Sequence, residues 1–167
     1  FTTGALFSGF YAIVAANADQ FERAAIAIVV AMLLDGFDGR IARMTQTTSK
    51  FGTQYDSISD MVSFGVAPSL VVYEWALIHF KDFPWIWSKL GWLAAFFYTA
   101  AAALRLARFN TRESVANKRY FQGLPSPAAA VALVGFIWVC HDMQLSRADF
   151  AIPALVITIL LGVCMVS

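Results

Sequence analysis

The placement of charge constrains this chain more than any other feature. An α-helix crossing the roughly 30 Å hydrocarbon layer of a bilayer takes about 20 mostly apolar residues. Segments 1–18, 120–141 and 150–167 contain no Asp, Glu, Lys or Arg and are long enough, or nearly so. Segment 90–104 spans if the flanking Lys89 and Arg105 reach back to the interfaces. Two further apolar segments are short: 24–34 has 11 residues and 61–73 has 13. They reach spanning length only if the helix continues through the charged residues 35–43 and 51–60. Charge then lies inside membrane helices.

The composition agrees, with 59% hydrophobic and 14% charged residues against roughly 45–50% and 25% in soluble domains. The expected fold is an all-α polytopic membrane protein with six transmembrane helices in one bundle, over residues 4–16, 22–43, 50–80, 88–108, 125–140 and 149–166. A single domain over 1–167 is expected, and both ends look trimmed, since the first residue is Phe1 and Ser167 closes an apolar run. A net charge of +1 leaves no electrostatic footprint for bulk nucleic-acid binding. Cys140 and Cys164 both lie in apolar runs, which supply neither a disulfide framework nor a zinc site.

Cytoplasmic connections carry the excess of Lys and Arg. The regions around the second and fourth connections hold Arg40, Arg43, Lys50, Arg105, Arg108, Arg112, Lys118 and Arg119, whereas the opposite side holds Arg23, Lys81, Lys89 and Arg147. Both termini and the basic face are therefore expected on the cytoplasmic side. Trp85, Trp87 and Trp92 suit the opposite interface as an aromatic belt.

Ionisable residues within membrane helices are costly and usually mark a functional site. Asp35 and Asp38 are three residues apart, and Asp56 and Asp60 are four apart, so each pair shares one helix face. The short polar connection over 44–50 makes the second and third helices antiparallel neighbours, so that the four carboxylates converge near one membrane surface. Hard oxygen ligands suit Mg²⁺ or Mn²⁺. Two such ions about 3.5–4 Å apart are the usual clamp for a transferring phosphoryl group. Gly36, Gly39 and Gly52 fit the same site, because glycine lets a ligand approach the backbone closely.

The segment Asp35-Gly-Phe-Asp38-Gly39-Arg-Ile-Ala42-Arg43, followed by Gly52, Asp56 and Asp60, resembles the signature D-x-x-D-G-x-x-A-R-x(8)-G-x(3)-D-x(3)-D of the CDP-alcohol phosphotransferase family at every fixed position. The resemblance implies a six-helix membrane enzyme that moves a phosphatidyl-type group from a CDP-linked donor to an alcohol and releases CMP. It implies one metal ion on Asp35, Asp38 and Asp56 and a second on Asp35, Asp56 and Asp60. It also implies donor contacts at Gly39, Ala42, Arg43 and Gly52, with Ser49 near the donor and Asp60 as the base. The stretches 57–68, 103–110 and 121–130 resemble the bacterial membrane-integral phosphatidylserine synthases. The expected partners are thus CDP-diacylglycerol, L-serine and the lipid bilayer, with a homodimer allowed. The expected location is the bacterial inner membrane, with the site facing the cytoplasm.

A serine zwitterion needs a cation for its carboxylate. Arg105 and Arg108 at the basic end of the fourth helix supply one, while Ser63 lies three residues beyond Asp60 on a nearby face. Topology alone also accounts for Arg105 and Arg108, and a positive-inside anchor accounts for Arg43. Asn110, Arg112, Lys118, Arg119 and Ser126 carry no sharper signal than topology, and His79, His141, Cys140 and Cys164 read as structural. Glycerol 3-phosphate or inositol is the alternative acceptor. A metal-ion or proton-coupled transporter would also place carboxylates at depth, but acids at one end with accompanying glycines favour the enzyme.

Overall fold

Small residues face inward in this chain and large apolar ones face outward. The structure, a computed structural model, describes residues 2–45, 50–82, 85–112 and 123–167. Its elements are α1 (Thr2–Asn17), α2 (Phe21–Thr45), α3 (Lys50–Asp60), a π-helical stretch (Met61–Val66), α4 (Ala67–Trp75), a 3-10 segment (Leu77–Asp82), α5 (Trp85–Arg112), α6 (Ser126–Asp142) and α7 (Ala151–Val166). No strand occurs among the described residues. The backbone stays right-handed helical at Asp60 and at Ala67, so α3, the π stretch and α4 form one continuous rod.

The rods match the six expected helices closely, with one correction. Residues 50–80 are not a uniform α-helix: the winding widens over Met61–Val66 and α4 ends at Trp75. Pro68 explains the first departure, because a proline ring clashes with the carbonyl four residues back and brings no N–H. At Ala76 the backbone leaves helical geometry (φ −131°), and a Cβ on Gly91 of α5 would collide with the Leu77 carbonyl. The close approach of α5 thus occupies the space beside the 3-10 segment.

Contacts between chain ends and connections fix an up-and-down path. At one end, Ser59 Oγ donates to the Thr2 carbonyl at 3.1 Å, and Thr3 Oγ1 lies 3.2 Å from the Tyr55 hydroxyl. At the same end, Asn110 Nδ2 at the end of α5 donates to Ser57 Oγ at 2.9 Å, and Arg108 donates to the Val166 carbonyl of α7 at 2.9 Å. Both ends of the described chain therefore lie at the end that carries α3. At the other end, Arg147 joins Asp19 at 2.7 Å and sits over the Phe21 ring at 4.7 Å, tying the α6–α7 connection to the α1–α2 turn. The Arg147 guanidinium holds the Asp19 carboxyl below the usual carboxylate range. The pair is exposed to water, where such bridges contribute little.

Alanine is the commonest residue of the core, with Ala12, Ala24, Ala31, Ala67, Ala102, Ala129 and Ala154 among those fully buried. Small side chains let helices approach closely when lipid, rather than water, surrounds them. α1 crosses the π stretch at backbone contact, since a Cβ on Gly9 would lie 2.7 Å from Ser63 Cα. Ser8 Oγ donates to the Ala27 carbonyl at 2.7 Å and joins α1 to α2. Outward faces carry Phe7, Phe10 and Val14 on α1, Ile26, Val30 and Leu33 on α2, and Ile152, Val156 and Val163 on α7. Exposed apolar surface of that extent is foreign to soluble monomers and suits a bundle set in lipid. One described helical segment, Lys89–Asn110, is long and apolar enough by length and composition to cross a membrane. Ser126–Asp142 and Ala151–Val166 are shorter apolar helices.

Candidate active site

Asp35 lies in the C-terminal half of α2, and Asp56 and Asp60 lie one turn apart on α3. One carboxylate oxygen from each lies within 4.8 Å of the other two, and all three residues are half-buried. Two carboxylates that close repel by about 3 kcal/mol or more at an effective dielectric of about 20. Such a set calls for positive charge. An all-oxygen donor group of this kind fits a hard divalent cation such as Mg²⁺ or Mn²⁺, which binds through carboxylates together with water or phosphate oxygens. Two separate elements therefore bring the acids together, as the spacing of the acids in the sequence leads one to expect.

Gly39 and Gly52 are both exposed, on α2 and α3 respectively. A Cβ at Gly36 would meet nothing within 4 Å. Ser49 and the side chains of Asp38, Ala42 and Arg43 lie outside the described residues.

Arg105 on α5 places a positive charge within electrostatic reach of Asp60. Its terminal nitrogen donates to Ser126 Oγ at 3.5 Å, while its buried Nε has no hydrogen-bond partner. Together with Arg108, Phe109 and Met165 it lines a small pocket. One wall of that pocket is cationic and the other apolar. The structure thus brings Arg105 and Arg108 together, although Arg108 also caps the end of α7 through Val166.

Ser63 is placed elsewhere. It is fully buried, and its hydroxyl donates to the Ala5 carbonyl of α1 at 3.1 Å. The expectation that it shares a face with Asp60 assumes α-helical winding. In the wider π stretch, which begins at Met61, a residue three positions on is turned further from that face, here toward α1. Ser63 is accordingly a packing contact between rods.

Two features escape sequence reasoning. Ser57, between Asp56 and Asp60, donates to the Thr53 carbonyl at 3.0 Å and accepts from Asn110 Nδ2 at 2.9 Å, which fastens the end of α5 to the acidic helix. Ser126 supports Arg105 from the first turn of α6. Both partners are more than twenty residues away in the chain, and no local spacing announces either contact. His141 packs edge-on against Phe21 at the far end, remote from the acids.

Comparison with known proteins covers nearly the whole chain. A family model described as CDP-alcohol phosphatidyltransferase matches residues 1–165. The chain is 37% identical over 167 residues to the CDP-diacylglycerol--serine O-phosphatidyltransferase of Helicobacter pylori (strain ATCC 700392 / 26695), covering all of this chain and 68% of that protein. It is 37% identical over 140 residues to the protein of the same name from Methanocaldococcus jannaschii, covering 84% of this chain and 59% of that one. Against the Saccharomyces cerevisiae protein of that name the identity is 32% over 146 residues, covering 79% and 50%.

Proposed function

The chain belongs to the CDP-alcohol phosphatidyltransferase family, and on that premise we propose that it transfers the phosphatidyl group of CDP-diacylglycerol to the hydroxyl of L-serine. The new bond joins the serine oxygen to the phosphorus that bears the diacylglycerol, the bond from that phosphorus to CMP breaks, and CMP leaves. The observation that carries this reading is the meeting of Asp35, Asp56 and Asp60 within 4.8 Å, with the charge of Arg105 in electrostatic reach of Asp60.

Asp35, Asp38 and Asp56 would hold one divalent ion, and Asp35, Asp56 and Asp60 a second. Mg²⁺ or Mn²⁺ bound there would neutralise the charge of the diphosphate and polarise its oxygens. The chain's own residues do the rest. Gly39, Ala42, Arg43, Ser49 and Gly52 receive the nucleotide end of the donor, with Arg43 adding a charge-assisted contact. Arg105 and Arg108 take the serine carboxylate, and Asp60 accepts the hydroxyl proton as the oxygen attacks. The unpaired Nε of Arg105 supports that assignment, because the guanidinium keeps a donor free for an acidic ligand.

The same reading gives six membrane spans, with both termini and the acids at the cytoplasmic face of a bacterial inner membrane. Its support is the eight-to-four bias of Lys and Arg toward the acidic end and the outward apolar faces of the helices.

Purified protein given CDP-diacylglycerol, L-serine and Mg²⁺ or Mn²⁺ should release CMP and form phosphatidylserine, and chelation by EDTA should stop it. Glycerol 3-phosphate or inositol in place of serine should give no CMP; release with either instead of serine would change the acceptor. Metal flux into liposomes without CMP release from any acceptor would point to transport. For the acceptor contact, Arg105→Lys should raise the serine KM about 10-fold while leaving the CDP-diacylglycerol KM near its original value, because an ammonium cannot reproduce a forked, bidentate contact. Equal shifts in both constants would remove Arg105 from the serine site.

A further inference from the structure

The rod that carries Asp56 and Asp60 changes its winding immediately after Asp60. Over Met61–Val66 it is π-helical, and the Ala67 N–H bonds the Val62 carbonyl, five residues back. π-helical turns are uncommon and recur at functional sites. Their cost must be met by local chemistry, and two observations supply it.

The first is Pro68, the second residue of α4. In an α-helix its N–H would serve the carbonyl of Phe64, but proline has none and its ring crowds that carbonyl. The second lies across the interface on α5. Tyr98, fully buried, donates its hydroxyl to the Phe64 carbonyl at 3.3 Å. Beside it, Thr99 Oγ1 lies 2.8 Å from Ser69 Oγ, which in turn donates to the Val66 carbonyl at 2.8 Å. Side-chain hydroxyls thus bond carbonyls within the widened stretch. A buried carbonyl left without a donor would cost about 1–3 kcal/mol, enough to loosen the register in which the widened stretch is held.

The winding matters because it sets the angle between α3 and α4. α4 is fixed by its buried face, in which Ala67, Val71, Val72 and Trp75 have no exposure. With α4 fixed, the π stretch decides which way the Asp56 and Asp60 face points, and so whether it meets Asp35 on α2. We infer that Tyr98 is a positioning residue: by donating to the Phe64 carbonyl, which Pro68 deprives of its α-helical partner, it holds the π stretch in the register that brings Asp56 and Asp60 to Asp35. This inference rests on the reading of the acidic cluster as a metal site.

Binding of Mn²⁺ to the full chain in detergent, followed by electron paramagnetic resonance of the free ion with helicity checked by circular dichroism, tests the inference without recourse to turnover. Tyr98→Phe, which removes one hydroxyl and little volume, should weaken Mn²⁺ binding about 10-fold or more at unchanged helicity, as losses of ligand-supporting groups commonly do. Pro68→Ala restores an N–H, lets the segment wind as an α-helix and should weaken binding similarly. The double variant should bind no more weakly than Pro68→Ala alone, since the Tyr98 hydroxyl then has no orphaned carbonyl to serve. Wild-type affinity in Tyr98→Phe, or losses that add in the double variant, would overturn the inference. Should Tyr98→Phe not fold, wild-type affinity in Pro68→Ala overturns it equally. A wild-type chain that binds no Mn²⁺ would instead overturn the metal reading, and the positioning role with it.

Discussion

Replacing Asp35 or Asp56 by alanine should lower turnover by well over 100-fold. Loss of a group that merely supports a metal ligand costs about 10–100-fold, and these two carboxylates are proposed as ligands themselves. Each would contact both ions, whereas Asp38 and Asp60 would each contact one. Their placement adds to the effect. Asp35 is the only contribution of α2 to the triad found among the described residues. Removing either would leave each ion two carboxylates instead of three, too few to hold both cations where the diphosphate must bind. Alanine is well tolerated in helices, and both positions are only half-buried, so helicity and thermal stability should stay near those of the parent. The measurement is CMP release at saturating CDP-diacylglycerol and serine over a range of Mn²⁺ concentrations. Turnover within a few-fold of the parent in either variant would sink the two-ion reading.

Much of this arrangement is legible in the sequence because lipid imposes a simple rule on helices: charge is excluded unless it serves a purpose. The two apolar segments too short to span, 24–34 and 61–73, direct attention to the acids beside them, and three of those acids, Asp35, Asp56 and Asp60, meet in the fold. Helix spacing places Asp56 and Asp60 on one face, and the antiparallel connection brings that face to α2. The sequence reading fails where the winding changes. Its placement of Ser63 near Asp60 presumes 3.6 residues per turn, and the π stretch turns that serine onto α1. Pro68 is a visible signal of irregularity, but what the chain does about it depends on Tyr98, thirty residues further on. Tertiary contacts decide such a case, and spacing along the chain does not report them. The same holds for Asn110, whose bond to Ser57 crosses from α5 to α3.

Asp60→Asn should retain CDP-diacylglycerol binding and lose about 10²–10⁴-fold in turnover, the range that a positioned general base contributes. Asparagine keeps the shape of the side chain and removes both its basicity and its charge. Asp60 lies one turn beyond Asp56 on α3, within electrostatic reach of Arg105. A serine held by its carboxylate at Arg105 would therefore present its hydroxyl toward Asp60. A hydroxyl is a poor nucleophile until its proton has somewhere to go, and an aspartate is a weak base near neutral pH. Cations held by the neighbouring carboxylates would favour the developing alkoxide and lessen that mismatch. The competing chemistry is a double displacement, in which a carboxylate first takes the phosphatidyl group and then yields it to serine. The two differ at phosphorus. Direct attack by the serine oxygen inverts the configuration of a chirally labelled β-phosphorus, whereas two successive displacements restore it. Inversion, together with no CMP burst when serine is withheld, is the expected result. Retention, or a stoichiometric burst of CMP without serine, would make a carboxylate the nucleophile and end the general-base assignment of Asp60.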